Sequence, residues 1–192
     1  MSDRARLSIR FLDWWHAGTG QSGMADADMI CFRDRFGCPA LPMTQVKGTL
    51  RETAERFWDP DDVIRYFGES TKRDDPPDDA GRGAIRFSGL MTIDPAEAAW
   101  FAQHGEARGQ LFGLLYSTAI NAQTGTAKAR SLRQIEAAIP MTLTAEIGVT
   151  RQAPDADWIA RVNQLCALTP AFGKLKNDGY GRAIALCEAV QP

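Results

Sequence analysis

The chain of 192 residues has no apolar run near the roughly 20 residues that a membrane-spanning helix needs. Its four cysteines, Cys31, Cys38, Cys166 and Cys187, form no Cys-x-x-Cys pair, and only His16 and His104 could join them. No zinc site is therefore expected. The start, Met1-Ser2-Asp3-Arg4, lacks the basic-then-apolar pattern of a signal peptide, which with the unpaired cysteines predicts reduced thiols and a cytoplasmic protein. No Ser-His-Asp or Cys-His constellation can be assembled from these residues. Neither charge sign dominates: 22 Lys and Arg face 24 Asp and Glu, for a net −2. Taken whole, that argues against nucleic acid, but the acids are concentrated. Residues 59–79 hold eight acids and three bases, or −5, which leaves +3 for the remainder. With 44% hydrophobic and 24% charged residues, the composition is that of one globular domain spanning 1–192.

Alternation marks the strands. Leu7, Ile9 and Phe11 fall on one side of Arg6–Leu12, with Ser8 and Arg10 on the other. The same pattern predicts strands over Ala84–Ile93 and Thr142–Thr150, a closing strand over Ala183–Ala189, and a short one over Met29–Arg33. Val46, Leu50, Ala54 and Phe57 recur at helical spacing, predicting a helix over Gln45–Trp58 with Thr44 as N-cap. Trp158, Ile159, Val162, Leu165 and Cys166 predict a second helix from near Asp155, and Pro95–Gln103 a short one. The run Asp74-Asp75-Pro76-Pro77-Asp78-Asp79 has nothing to bury, so 59–82 is expected to be an acidic mobile loop. The resulting order is β-α-β-β-α-β. It predicts an α+β, ferredoxin-like (RRM-like) sheet, with a loop or thumb inserted at 94–135 between its halves. Such sheets are a common platform for single-stranded RNA, although unrelated activities share them.

Five groups of residues could carry chemistry. Gly18, Gly20 and Gly23, after His16, would let backbone N–H groups approach phosphate; a flexible turn is the plain alternative. Lys47 and Arg51 share a helix face near its N-terminus, where cations gain nothing from the helix dipole. An anionic partner would explain them, and so would a solvated face balanced by Glu52 and Glu55. Gly173, Lys174, Lys176, Asn177, Gly179, Tyr180, Gly181 and Arg182 make a basic, backbone-exposed ribbon suited to a sugar–phosphate chain, with Tyr180 available to stack on a base. Lys128, Arg130 and Arg133 flank Thr124-Gly125-Thr126, either as a basic contact or as ordinary surface charge. Asp26, Asp28 and Asp34 follow the first glycine loop. A lone acid there could bind a divalent ion or help activate a ribose 2′-hydroxyl, or could simply shape a turn.

The order of these signals is more specific than any one of them. Trp15-His16-Ala17-Gly18-Thr19-Gly20, Asp28, Arg33-Asp34, Leu41-Pro42, Thr44 and Val46-Lys47-Gly48-Thr49-Leu50-Arg51 follow one another. Gly81-Arg82-Gly83-Ala84-Ile85-Arg86-Phe87-Ser88, Thr124-Gly125-Thr126-Ala127-Lys128 with Leu132-Arg133-Gln134-Ile135-Glu136, and the loop Gly173 through Arg182 complete the pattern. The sequence resembles the RAMP superfamily of CRISPR-associated proteins, in particular the Cas-seven-like backbone subunits of type III effector complexes. Its Asp13-Trp14-Trp15-His16 start is most similar to the III-D and III-E branch.

The resemblance implies a subunit that binds CRISPR RNA and target RNA, beside other CRISPR-associated backbone and cap subunits and away from membranes. It implies RNA contacts from His16, Gly18, Gly20, Thr44, Lys47, Arg51, Lys128, Arg133 and the Gly173–Arg182 loop. It further implies target-RNA cleavage at Asp28 with Mg²⁺ or another divalent cation, Asp26 being the neighbouring acid. Two alternatives stand beside it. One is a non-catalytic structural subunit, a Cas-five-like cap or inactive backbone paralogue; the other is a stand-alone single-stranded-RNA-binding domain.

Overall fold

The computed structural model describes residues 3–22, 28–69, 82–118, 123–126, 132–150 and 152–190. Strand β1, Arg4–Phe11, buries Ala5, Leu7, Ile9 and Phe11 and turns Arg4, Arg6 and Arg10 outward. It lies at the centre of a four-stranded antiparallel sheet ordered β10-β1-β9-β5, where β5 is Ile85–Arg86, β9 is Thr142–Val149 and β10 is Ala183–Ala189. Ile9 sits opposite Ala185 on one side and Leu143 on the other, so the small and branched residues of three strands share one buried face.

Helices α1, Met43–Phe57, and α5, Trp158–Leu168, cover that face. The first contributes Met43, Val46, Leu50 and Ala54, and the second Trp158, Val162, Leu165 and Cys166. Buried hydroxyls of Thr53 and Thr169 meet at 2.9 Å between the two. Thr44 is not the N-cap: α1 starts at Met43, with Pro42 in the capping position and Thr44 exposed in the first turn. Leu41–Pro42 forms β4, paired with β6, Leu90–Met91. The fixed proline φ then leads straight from strand to helix.

Two further expectations are corrected. Residues 60–67 are not loop but helix α2, Pro60–Phe67. Pro60 opens it, Asp61 and Asp62 lie where the helix dipole favours acids, and Val63, Tyr66 and Phe67 bury one stripe. The run 74–79 lies outside the described residues. The predicted strand over Ala84–Ile93 is divided into β5 and β6, because Gly89 takes φ +82 and sends the chain to a different partner.

The segments outside this first layer pair with each other. Strand β2 is Gly18–Ser22, where a loop was expected, and β3 is Met29–Cys31. Helices α3, Pro95–Gln103, and α4, Gly105–Gly109, precede β7, Phe112–Ser117, and β8, Arg133–Ala138. These strands form a second sheet ordered β2-β3-β8-β7, with β3 and β8 parallel and the other pairs antiparallel. Trp15 ties the sheets together, stacked on Phe11 at 4.4 Å and donating from its indole nitrogen to the Ile139 carbonyl. Among the described residues no helix is long and apolar enough to cross a membrane. All four cysteines are buried and unbonded, and burial raises the Cys31 thiol to about 11 and those of Cys166 and Cys187 to about 12.

Candidate nucleic-acid interface

His16 leaves β1's end by a backbone bridge to Lys174, whose N–H donates to the His16 carbonyl at 2.7 Å. This bridge places the first glycine segment against the C-terminal glycine-rich loop. Gly173 is required there: its φ is +92, and a Cβ would lie 2.7 Å from the His16 carbonyl oxygen. The loop then takes a left-handed turn at Leu175 and a single 3-10 turn over Lys176–Asp178 before Gly179 and Gly181, both at positive φ. It closes through Phe172 N–H to the Gly181 carbonyl and Gly181 N–H to the Trp14 carbonyl. Asn177 is exposed and Tyr180 half-buried.

The His16 ring is fully buried, with Nδ1 2.7 Å from the Glu136 carbonyl. Burial is the main influence holding its pKa below the usual histidine value; the Glu136 bond opposes this, and the Lys174 charge adds to it. Gly18 lies against this ring and against the Lys174 side chain, and Gln45 of α1 reaches the Gly18 carbonyl at 3.4 Å. Gly20 falls within β2. Glu52, two turns on from Gln45 along the same face, pairs with Lys176 at 3.2 Å. One face of α1 therefore packs beside the loop.

Lys47 and Arg51 occupy a different face. Arg51 donates to Glu55 at 2.8 Å and to the Gly68 carbonyl at 2.9 Å, capping the end of α2. Lys47 is half-buried and, among the described residues, makes no ion pair; burial and then the Arg51 charge push its pKa down. Arg182 is held by Asp13. Arg133 is exposed on β8, and Lys128, with Arg130, lies outside the described residues.

Asp28 reaches the same region through β8. Its N–H donates to the Gln134 carbonyl, and its Oδ2 accepts the Gln134 N–H, both at 2.9 Å. Gln134 is two residues along β8 from Glu136, which holds His16. Asp26 lies outside the described residues, and Asp34 accepts from the N–H groups of Phe36 and Cys38, as a turn residue does. Among the described residues no three of His, Cys, Asp and Glu come together to hold a metal. Asp28 offers one carboxylate with one oxygen engaged.

Three contributors have no role assigned from the sequence, although Glu136 closes the Leu132–Glu136 stretch of the pattern. Gln45 and Gln134 carry no motif signal. Glu136 also accepts from Cys31 N–H at 2.9 Å and Arg33 at 2.5 Å, the guanidinium lying over Phe112. Its placement depends on pairing across more than a hundred residues.

No protein-family model matches the chain, and no curated protein matches it. Solved structures do. A chain in the cryo-EM structure of the Type III-B Cmr-beta bound to cognate target RNA superposes with a TM-score of 0.67 at 10% identity, covering 96% of both chains. A chain of the Type III-B Cmr-beta in its apo state gives 0.65 at 12% identity, again over 96% of both. At such identities the likeness is one of fold, and it extends over nearly the whole of this chain.

Proposed function

We propose that this protein is an RNA-binding subunit of a type III CRISPR interference complex, gripping guide RNA and the guide–target duplex beside other backbone and cap subunits. One observation carries the reading: the fold likeness runs over 96% of the chain to a structure described as bound to cognate target RNA. The bridge between His16 and Lys174 supports it, since it brings two sequence-predicted RNA segments together from opposite ends of the chain. The strand order β10-β1-β9-β5, with helices on one face, supports a ferredoxin-like first layer. Placement in the III-D or III-E branch rests on Asp13-Trp14-Trp15-His16 alone.

Target-RNA cleavage at Asp28 is the finer part of the proposal. A carboxylate among phosphates repels the backbone, so it serves reaction better than affinity. Positioned beside a ribose, it would orient the 2′-hydroxyl and take its proton while that oxygen attacks the adjacent phosphorus and the 5′-oxygen leaves. A divalent cation fits only in the manner of Mg²⁺ sites completed by substrate phosphates, with Asp28 Oδ1 as the protein ligand. Bound there, it would neutralise charge on the reacting phosphate. The non-cleaving structural subunit is the second reading, favoured by the Gln134 N–H that already occupies Asp28 Oδ2.

Asp28→Asn separates the two, because the amide oxygen can still accept from Gln134. Labelled target RNA is incubated with complexes carrying wild-type or Asp28→Asn subunit, with and without EDTA. Loss of cutting at this subunit's position, by about 100-fold or more, with target binding unchanged, is the expected result. Undiminished cutting by the variant would leave the structural subunit as the reading.

A further inference from the structure

A carbonyl can only accept, so the 2.7 Å contact from Nδ1 to the Glu136 carbonyl puts the His16 ring hydrogen on Nδ1. The neutral ring then presents Nε2 as a lone pair. That atom is buried and has no hydrogen-bond partner among the described residues. So does Gln45 Oε1, whose amide nitrogen reaches the Gly18 carbonyl. Unmatched buried acceptors are destabilising, and these two flank one glycine. A Cβ at Gly18 would stand 3.0 Å from His16 Nε2 and 3.1 Å from Lys174 Nζ. The bare Gly18 backbone is therefore flanked closely by an acceptor on one side and by the Lys174 side chain, with its ammonium, on the other, and Nε2 is reached only when that side chain swings aside.

We propose that His16 and Lys174, across Gly18, take a ribose 2′-hydroxyl of bound RNA, which donates its hydrogen to His16 Nε2 and accepts one from Lys174 Nζ. This rests on the RNA-binding reading and goes beyond it by naming the group that distinguishes RNA from DNA at the site. A hydroxyl is the matched ligand, having one hydrogen to give and lone pairs to receive. A phosphate oxygen has no hydrogen and would set its lone pairs against that of Nε2. A metal ion would meet the Lys174 charge. Deoxyribose presents only carbon-bound hydrogen. Lys174 is exposed and flexible, so its side chain can admit the sugar while its backbone stays bonded to His16.

The test measures binding of the full chain to three single-stranded oligonucleotides of one sequence: RNA, its 2′-deoxy form and its 2′-O-methyl form. The methyl ether keeps the oxygen acceptor and removes the donated hydrogen. Wild type should prefer RNA over both others by about three- to tenfold, the range expected for one or two such bonds. His16→Phe should reduce that preference to about one by weakening RNA binding alone. Because His16 is buried, Gly18→Ala provides a second variant. Its methyl would stand 3.0 Å from both His16 Nε2 and Lys174 Cδ, so it blocks the approach to Nε2 while keeping both side chains in the sequence. It too should erase the preference. Equal binding of all three oligonucleotides by wild type, or a preference surviving Gly18→Ala, overturns the hydroxyl site and leaves the RNA-binding reading standing. Failure to bind any of them counts against both.

Discussion

Gly179 and Gly181 stand two residues apart at similar φ, +89 and +75, yet they meet different surroundings. A Cβ at Gly181 would lie 2.1 Å from the Phe172 carbonyl oxygen, on the residue whose N–H closes the loop by donating to the Gly181 carbonyl, whereas at Gly179 it meets open space. Valine at Gly181 therefore breaks the clasp itself, at a cost of about 3 kcal/mol or more. At Gly179 the cost is conformational, about 1–2 kcal/mol, and the fold should survive it. Thermal melting with RNA-binding titration checks this. Gly179→Val should lose RNA binding while melting a few degrees below wild type, and Gly181→Val should lower the melting point much further. Equal melting points for the two variants would contradict the contrast.

At the scale of elements, α2 and α5 are joined by a polar clasp. Arg161 of α5 donates to Asp62 at 2.7 Å and Asp155 at 3.2 Å and lies over the rings of Trp58 and Tyr66, while the Tyr66 hydroxyl donates to Asp155 at 2.5 Å. Arg65 pairs with the other oxygen of Asp62. The Arg161 hydrogen bond is the main cause that holds the Asp62 carboxyl below its usual pKa. A depressed carboxylate adds stability above its unfolded pKa, and this is lost as pH falls through the lower folded value. Arg161→Ala should therefore destabilise the fold by about 1–3 kcal/mol at neutral pH. It should also shrink the fall in stability below about pH 4. Urea melts of both proteins across pH 2.5–7 measure this, and parallel curves would refute it. The same helix shows what the sequence could and could not reveal. Ala183–Ala189 alternates plainly, and the strand matches it residue for residue. In α2 the stripe Val63, Tyr66, Phe67 was hidden by its acidic setting, since periodicity over eight residues is weak beside a charge run. The second sheet was illegible for another reason: β3 and β8 pair Met29 with Ile135, and no local pattern announces a partner so distant.

Across the whole molecule, the proposed RNA surface is assembled from residues near 16–18, 45–51 and 173–182 on a chain whose net charge is −2. Much of its positive charge is already matched. Lys176 pairs with Glu52, Arg182 with Asp13 and Arg51 with Glu55, so these bases must exchange one partner for another when phosphate arrives. Lys47 has no such partner among the described residues, and its partial burial beside Arg51 makes an incoming anion more favourable there. Phosphate contacts carry no base information, and each one on a single strand contributes about 0.7 to the slope of log affinity against log salt. Lys47→Ala should thus weaken RNA binding to the same extent for every sequence and flatten that slope by about 0.7. Arg51→Ala should behave differently, since removing it frees the Gly68 carbonyl and loosens α2; it should lower the melting temperature and change the slope less. The double variant would then show the Lys47 slope with the Arg51 loss of stability. Titrations of two unrelated RNA sequences between 50 and 300 mM salt, run beside thermal melts, separate these effects. An unchanged slope for Lys47→Ala would remove this face of α1 from the RNA path and confine contact to the His16–Lys174 side.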